Sequence, residues 1–254
     1  MFLGFDIGNT RTTIGIYSQD KIIPLKLFHY KTQKEISSEN LKRKILKEID
    51  PANYSSAFFS CVVPSLKETY LNLFRQEFKK DLFEISSSSK LKIKINYDNP
   101  KELGIDRIVN AEAVFNEYQD EAIIVDLGTA ITFCVLLAGG SFEGGLIVPG
   151  VKTMMDSLRG KAAHLPTCTY EKPEVFIAKD SFNAVKAGFF YGSLALIEGL
   201  ILKIEAYYQK KFKIILTGGF SKTVGDNLSL PNKVDPLLTM KGLKYIYDLN
   251  HKKG

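Results

Sequence analysis

The sequence has few of the residues from which disulfide frameworks and zinc sites are built. Among its 254 residues there are three cysteines, Cys61, Cys134 and Cys168, and three histidines. Their scatter excludes a disulfide scaffold and a Cys-x-x-Cys metal site, and it is typical of a protein in a reducing compartment. We therefore expect a cytoplasmic protein.

Long apolar segments are missing as well. The opening residues, MFLGFDIGNTR, contain no basic leader and reach a charge at Asp6, so they are not expected to form a signal peptide. No window offers the roughly 20 uninterrupted apolar residues that a membrane-spanning helix needs. We expect neither secretion nor a membrane partner.

Charge and composition leave the class of partner open. The chain carries 34 Lys and Arg against 28 Asp and Glu, a formal charge of +6, which favours anionic partners in general. The basic residues at 42–47 have no interleaved aromatic residues, so nucleic acid is not the expected partner. With this length and 45% apolar residues, we expect one large α/β domain or two lobes.

What the sequence does contain is an internal repeat. FLGFDIGNTRTTIGIY (2–17) resembles AIIVDLGTAITFCVLL (122–137). Each copy runs from apolar residues into an aspartate and a glycine-containing turn, and then into β-branched residues, which predicts a strand–turn–strand hairpin in each half of the chain. The aligned residues, at a constant offset of 120, are Asp6 with Asp126, Gly8 with Gly128 and Thr12 with Thr132.

These hairpins differ from the commonest phosphate-binding loops. The motifs GxxxxGK[ST] and GxGxxG, which place a phosphate at a helix N-terminus, are both missing. A hairpin turn can instead offer backbone N–H groups and hydroxyls to a polyphosphate, while the aspartate that ends the strand holds hydrated Mg²⁺. A single D-x-G-x-T fits an ordinary β-turn equally well, whereas two copies in matching contexts favour the phosphate site.

Helices and strands alternate through the rest of the chain. The helix over 185–211 is apolar on almost every side, so we expect its burial within a lobe or against a second copy of the chain. The other predicted elements are a helix from Ser37 or Ser38, a helix from Pro64 with a Ser65–Glu68 capping box, a helix over 107–118, and strands at 57–63 and 213–220.

Two further regions carry candidate chemistry. Within 96–110, Asp106 and Arg107 precede a predicted helix, where an Asp is most often only a cap. The alternative is an Asp that acts as the base for phosphoryl transfer, beside an Arg that clamps a carboxylate or phosphate. The glycine-rich segments 144–150 and 216–220 are either structural turns or places where backbone approaches a ligand closely.

Together these segments resemble the type III pantothenate kinases, members of the superfamily of actin, sugar kinases and heat-shock chaperone ATPases. Their order and spacing, which run the length of the chain, are specific to that family. The matching motifs are DIGNT (6–10), SCVVPSL (60–66), Tyr97 through GIDR (104–107), DLGTA (126–130), GGLIVPG (144–150), LP (165–166), TGGF (217–220) and DPLLTMKGLKYIY (235–247).

The resemblance implies an α/β fold of two duplicated ribonuclease-H-like (actin-like ATPase) lobes, at 1–118 and 119–254. Each lobe is a mixed sheet flanked by helices, with the active site in the cleft between the lobes. The implied reaction is ATP-dependent phosphorylation of pantothenate to 4'-phosphopantothenate, the first step of coenzyme A biosynthesis. The implied cofactors are ATP, Mg²⁺ and a monovalent cation, K⁺ or NH₄⁺, and the implied assembly is a homodimer with the active site near its interface.

The resemblance also assigns site residues. It makes Asp106 the catalytic proton acceptor, Asp126 the ligand of the monovalent cation and Asp6 a residue near Mg²⁺. The implied ATP-binding residues are Asp6, Ile7, Gly8, Asn9, Thr10, Arg11, Thr12, Thr13 and Thr129. The implied pantothenate-binding residues are Tyr97, Gly104, Ile105, Asp106 and Arg107, together with Ser181 of the partner subunit.

Three positions depart from the family pattern. Ser181 stands where the family has Thr, so the hydroxyl is kept and a methyl group is lost. Ala178 stands where Gly is usual, and Arg11 follows DIGNT where a smaller polar residue is common.

Three other functions remain as alternatives. They are a DNA-binding regulatory protein, a sugar kinase of the same superfamily and a chaperone-like ATPase. The missing hexokinase-type sugar motif counts against the second, and the lack of room for a peptide-binding domain counts against the third.

Overall fold

The computed structural model describes residues 1–162 and 164–251, and the chain divides into two compact units. The first comprises Met1–Gln119, Gly139–Phe142 and the residues from Leu237 onwards. The second comprises Asp120–Ala138 and Glu143–Pro236. Each unit is built on a mixed β-sheet with helices, which confirms the predicted α/β class.

The sheet of the first unit has the strand order β3-β2-β1-β4-β5. β2 is antiparallel to both β3 and β1, whereas β4 runs parallel to β1 and β5 runs parallel to β4. Apolar side chains of β1 and β4, among them Phe5 and Phe59, lie fully buried in the core of this unit. The strands are β1 (Phe2–Ile7), β2 (Arg11–Tyr17), β3 (Lys26–Lys31), β4 (Ser56–Cys61) and β5 (Leu82–Glu84).

The second unit repeats this order with β9-β8-β7-β10-β11. Here β7 and β8 are antiparallel, and β10 and β11 continue the sheet in parallel. The strands are β7 (Ala122–Leu127), β8 (Ala130–Leu137), β9 (Ser141–Pro149), β10 (Lys213–Thr217) and β11 (Lys233–Val234). The remaining strand, β6 (Lys94–Ile95), pairs in parallel with residues 141–142, which open β9 and belong to the first unit.

The two predicted hairpins form, but their turns differ by one residue. Ile7 pairs with Thr12, which leaves residues 8–11 in the first turn, whereas Leu127 pairs with Ile131, which leaves residues 128–130 in the second. The strand partner of Asp6 is consequently Thr13, and the partner of Asp126 is Thr132. Thr12 and Thr132, which coincide in the sequence repeat, therefore occupy different register positions.

Two helices flank the strands of the first unit near its N-terminal half. α1 (Ser38–Glu48) begins as predicted, with the Ser37 hydroxyl accepting from the Asn40 N–H at 3.3 Å. α2 (Pro64–Asn72) has Pro64 at its first position, so Ser65 lies inside the helix, and its hydroxyl donates to the Lys34 carbonyl at 3.1 Å. The predicted Ser65–Glu68 capping box is therefore wrong, because a capping serine must precede the first helical residue.

The C-terminal helix returns to the first unit. α7 (Leu238–His251) packs on α3 (Ile105–Tyr118), on β1 and on β4. Its Met240 carbonyl accepts from the Tyr17 hydroxyl at 2.8 Å, and its Tyr247 ring stacks on Phe58 at 4.6 Å between centroids. The observed division of the chain consequently differs from lobes at 1–118 and 119–254, since residues from Leu237 onwards complete the first core.

The second unit carries α4 (Val151–Lys161), α5 (Ser181–Tyr208) and α6 (Ser221–Gly225). α5 begins four residues before the predicted helix, with Asp180 accepting from the Asn183 N–H at 2.9 Å. Within the described residues it is the one helix long and apolar enough, by length and composition alone, to span a membrane. Its Phe190, Ile197 and Ile201 are packed in the core of the second unit, as in the central helix of a globular domain.

Candidate active site

Asp6 lies at the end of β1 and is the first carboxylate of the candidate site. The neighbouring strand supplies Ser60, whose hydroxyl donates to Asp6 Oδ1 at 3.2 Å. Burial raises the pKa of Asp6 to about 6, and the charge of Asp106 acts in the same direction, while the Ser60 hydrogen bond and the charge of Arg11 oppose them. A second carboxylate is thus close enough to Asp6 to influence its ionisation.

That second carboxylate, Asp106, opens α3. Its Oδ1 accepts from the backbone N–H of Arg107 at 2.9 Å, and burial raises its pKa although this hydrogen bond and the Arg107 charge lower it. Gly104 precedes the helix, and a Cβ there would lie only 2.6 Å from Asp106 Oδ1. The glycine of the G-x-D-R motif therefore makes room for the carboxylate.

Arg107 is buried beside two aromatic rings. Its guanidinium carbon lies 5.8 Å from the centroid of Tyr97 and 5.5 Å from the centroid of Phe142. The two rings are 6.5 Å apart and inclined by 55°. Tyr97 and Arg107, which the family pattern assigns to one ligand, are thus brought together, and Phe142 is a neighbour that sequence reasoning missed.

The β1–β2 turn presents only part of the predicted ATP segment to solvent. Asn9, Thr10 and Arg11 are exposed, and the turn closes through a bond from the Gly8 N–H to the Arg11 carbonyl at 3.1 Å. The other side chains point inward: Ile7 is in the core, Thr12 hydrogen bonds Thr32 at 2.9 Å, and Thr13 hydrogen bonds His29 at 3.1 Å.

The corresponding turn of the second unit is surrounded by glycines. Asp126 ends β7, and Thr129 is exposed at the tip of the turn, where its carbonyl accepts from the Gly150 N–H at 3.0 Å and the Thr153 hydroxyl at 2.6 Å. A Cβ at Gly150 would lie 2.2 Å from the Gly128 carbonyl oxygen, and one at Gly218 would lie 2.5 Å from Asp126 Oδ1. The segments 144–150 and 216–220 thus pack closely on this turn.

Ser181 belongs to the second unit, whereas Asp6, Tyr97, Asp106 and Arg107 belong to the first. It is the first residue of α5 and is exposed, directly after the capping residue Asp180. The next residue, Phe182, is also exposed.

Comparison with known proteins decides the family. The sequence profile of type III pantothenate kinases matches residues 2–203. The chain belongs to the type III pantothenate kinase family. Two relatives described as type III pantothenate kinases bear this out: one from Sulfurihydrogenibium sp. is 36% identical and aligns with 97% of this chain and 99% of its own. The other, from Citrifermentans bemidjiense, is 35% identical over 98% of this chain and 100% of its own.

Solved structures show the same fold at low identity. A Campylobacter jejuni protein described as a candidate Baf family transcriptional activator superposes with a TM-score of 0.64 at 22% identity, and each chain is covered to 98%. A candidate 2-dehydro-3-deoxygalactonokinase from Sinorhizobium meliloti gives 0.63 at 10% identity, with both chains covered completely. These similarities support the two-lobed ribonuclease-H-like architecture of this type III pantothenate kinase family member.

The family implies ATP and a divalent metal, and the residues of the first unit fit the metal's chemistry. No group of three or more His, Cys, Asp or Glu that could hold a metal occurs among residues 1–162 and 164–251. Mg²⁺ does not need such a cage, because it is usually bound by one or two carboxylates together with phosphates and water. The partly exposed Asp6, with Asp106 close by, supplies hard oxygen ligands of this kind.

Proposed function

We propose that this protein transfers the γ-phosphoryl group of ATP to the hydroxyl of pantothenate, forming 4'-phosphopantothenate in the first step of coenzyme A biosynthesis. The observation that carries the proposal is the placement of Asp106 and Arg107 in the first turn of α3, with Tyr97 beside Arg107 and with Asp6 close enough for the charge of Asp106 to raise its pKa. Asp106 can accept a proton from a hydroxyl group, and the guanidinium of Arg107 can bind a carboxylate. The pair therefore suits a small anionic substrate with a terminal hydroxyl.

The residues have separate roles in the proposed reaction. Asp106 accepts the proton of the pantothenate hydroxyl as that oxygen attacks the γ-phosphorus, and Arg107 binds the pantothenate carboxylate. Tyr97, Gly104 and Ile105 line the same binding region, and Ser181 of the partner subunit adds a hydroxyl. ATP is bound by the segment from Asp6 to Thr13 and by Thr129. The residues of that segment whose side chains point inward contribute their backbone groups.

The metal's contribution fits the carboxylates already described. Mg²⁺ bound with ATP would neutralise charge on the β- and γ-phosphates. Asp6 would hold it, and the Ser60 hydrogen bond would orient the Asp6 carboxylate for that purpose.

The reaction is tested by product identification. The protein is incubated with ATP, Mg²⁺, K⁺ and a panel of hydroxyl metabolites that includes sugars, and phosphorylated products are identified by mass. Phosphopantothenate is the expected product, and a phosphorylated sugar in its place would contradict the proposal. Salt-sensitive DNA binding without any ATP turnover would instead favour the regulatory alternative.

The role of Asp106 is tested by Asp106→Asn. Removal of a general base costs about 10² to 10⁴ in rate, so kcat should fall by that order while ATP binding is retained. The matched control is Asp156→Asn on α4, because Asp156 is an exposed acid whose one ion pair, with Lys152, spans 3.9 Å. Unchanged turnover of Asp106→Asn in a coupled ADP assay would exclude Asp106 as the base.

Asp126 is proposed as the ligand of a monovalent cation, K⁺ or NH₄⁺. Replacing Na⁺ by K⁺ should raise the rate of the wild-type protein, and Asp126→Asn should remove that dependence while the fold is retained. Equal wild-type rates in the two salts would contradict the cation site.

A homodimer is proposed from one face of α5. Ala184, Gly188, Gly192 and Ala195 recur at helical spacing and are exposed, and a Cβ at either glycine would meet no atom within 4 Å. Small residues at such spacing let a second helix approach closely. Because these four residues are apolar, a second copy of the chain is the proposed occupant of this face.

Sedimentation tests the assembly. We expect the wild-type protein to sediment as a dimer and Gly192→Glu to sediment as a monomer. Gly160→Glu on α4 is the control, since a Cβ there also meets nothing within 4 Å. A wild-type monomer would contradict the dimer.

A cytoplasmic location is proposed as well, since the family consists of soluble metabolic enzymes.

A further inference from the structure

Phe142 is a fully buried aromatic residue that the proposed chemistry leaves without a role. It is the second residue of β9, has no exposed surface and belongs to the first unit. Its backbone is tied to β6, because Ile95 is its strand partner and its carbonyl accepts from the Asn96 N–H at 2.9 Å. The residue that follows Asn96 is Tyr97.

The Phe142 ring faces the guanidinium of Arg107. The distance from the guanidinium carbon to the Phe142 centroid, 5.5 Å, is shorter than the 5.8 Å to the Tyr97 centroid. Both distances lie within the roughly 6 Å over which a ring attracts a cation, and the attraction is largest where water is excluded. Arg107 is only 5% exposed, so this condition is met.

α3, the helix that carries Arg107, also holds the segment that leads into β6 and on to Tyr97. Glu112, one and a half turns after Arg107 on α3, has no exposed surface and accepts from the backbone N–H groups of Lys92 and Ile93 at 3.1 and 3.2 Å. α3 thus carries Arg107 and also, through Glu112, hydrogen bonds the backbone just before β6. The positions of Tyr97, Phe142 and Arg107 are therefore set by one connected group of contacts.

We propose that Phe142 is a positioning residue for the proposed reaction: its ring holds the Arg107 guanidinium in the orientation that binds the carboxylate of pantothenate. The inference rests on the proposed function, because it takes the ligand of Arg107 to be the substrate carboxylate. An arginine fixed beside two rings gives up little side-chain freedom when it binds a carboxylate with two parallel hydrogen bonds.

The test compares Phe142→Leu with a control of equal chemistry, Phe74→Leu. Phe74 is a buried aromatic residue of the same unit, and its ring contacts are Phe5 and Phe78. Phe142→Leu should raise the KM for pantothenate by about tenfold, the factor that corresponds to roughly 1.4 kcal/mol, while the KM for ATP changes by less than about twofold. Phe74→Leu should change neither KM, and Phe142→Tyr should restore the wild-type KM for pantothenate.

A second measurement reports on Arg107 without turnover. In the wild-type protein the Nε–Hε signal of Arg107, assigned by its loss in Arg107→Lys, should be shifted upfield by the ring currents. It should move downfield in Phe142→Leu and stay in place in Phe74→Leu. If Phe142→Leu does not fold, Phe142→Met removes the ring at similar volume and serves for both measurements.

The outcomes separate this inference from the proposed function. A wild-type protein that forms phosphopantothenate, with an unchanged pantothenate KM and an unmoved Arg107 signal in Phe142→Leu, would overturn the role of Phe142 alone. Equal effects of Phe142→Leu and Phe74→Leu on both KM values would also overturn it. A wild-type protein that forms no phosphopantothenate would overturn the proposed function, and the NMR comparison would still decide whether Phe142 holds Arg107.

Discussion

The residues around Asp6 in the first unit keep this acid partly protonated near neutral pH. Asp6 lies on β1 beside Ser60 of β4, and the nearby charge of Asp106 adds to the effect of burial on its pKa. Ser60 and Arg11 act in the opposite direction, and the resulting pKa of about 6 is far above the ordinary value of 3.8. A divalent cation that binds Asp6 would compete with this proton, so acid should weaken metal binding.

Asp6→Asn tests this pKa through stability. The folded protein binds the Asp6 proton more tightly than the unfolded chain does, so the resulting stabilisation is complete below about pH 4 and is lost as the pH rises through about 6. Without divalent metal, the free energy of unfolding of Asp6→Asn at pH 8 should therefore exceed that of the wild type by about 2 kcal/mol. Urea titrations at about pH 4 and about pH 8, roughly the two ends of that range, provide the measurement. A difference between the two proteins that does not change with pH would contradict it.

Gly104→Ala tests whether the Asp106 carboxylate needs the space that the glycine leaves free. The added methyl would lie 2.6 Å from Asp106 Oδ1, so the carboxylate must move, and turnover should fall by about 10²-fold because small displacements of catalytic groups are costly. Gly160→Ala is the control, since its methyl meets nothing within 4 Å and lies in a helix. Thermal unfolding should show both variants folded. Wild-type turnover of Gly104→Ala would show that Asp106 tolerates the displacement.

Sequence motifs single out the charged residues of the candidate site but not the side chains that surround them. Asp6, Asp106, Arg107 and Tyr97 stand out because acids, an arginine and an aromatic residue occur beside glycine turns. The inward direction of Thr12 and Thr13 follows from strand register, which the motif does not contain. Phe142 was missed because one aromatic residue in a glycine-rich segment looks like an ordinary core residue until the structure places it against Arg107.

At the scale of secondary structure, the packing of α3 against α7 depends on one small residue. A Cβ at Gly242 would lie 2.0 Å from the Val109 carbonyl oxygen, so the two helices touch backbone to backbone. Gly242→Ala must separate them or bend one of them. α3 carries Asp106, Arg107 and Glu112, so this contact also supports the candidate site.

Gly242→Ala should consequently destabilise the protein by about 2 to 3 kcal/mol, the upper part of the usual range for an overpacked core. Denaturant unfolding measures this loss. Gly160→Ala on α4 is a matched helical control, because its methyl meets no atom within 4 Å and alanine has the higher helix propensity. A Gly242→Ala variant as stable as Gly160→Ala would show that the helices adjust without cost.

The hairpins were predictable, whereas some of their details were not. The alternation of apolar and β-branched residues around Asp6 and Asp126 is a strong local signal, and both hairpins form where it predicts. An alignment at constant offset cannot reveal the extra residue in the first turn. Two threonines, Thr12 and Thr13, follow Arg11, and either of them can be aligned with Thr132. The failed Ser65–Glu68 capping box has a similar origin, since Pro64 takes the first helical position ahead of Ser65.

At the scale of the whole molecule, the first unit is built from both ends of the chain. α7 buries Leu243, Ile246 and Tyr247 against Tyr17 and Phe58 in a cluster of its own. Lys244 is fully buried with them and pairs with Asp248 at 2.5 Å. Periodicity predicts a helix from such a segment but not its partner more than 200 residues earlier, so the boundary of the second lobe could not be placed from sequence.

Deletion of the chain after Pro236 tests this arrangement. The truncated protein should lose the cooperative unfolding of the first unit, because Tyr17, Phe58 and Val109 would become exposed to water. The second unit keeps all its residues and should retain its own transition, which hydrogen exchange resolves segment by segment. Native-like protection of β1 and β4 in the truncated protein would contradict the prediction.

The return of α7 also has a consequence for the order of events during protein synthesis. Domains generally fold as units as they leave the ribosome, the N-terminal one first. Here the residues of the second unit, which end at Pro236, have all emerged before the first unit receives its last helix. The nascent chain must therefore carry the half-finished core around β1 and β4 until α7 has been synthesised, so the apolar surface that α7 covers stays open to water while the second unit is made.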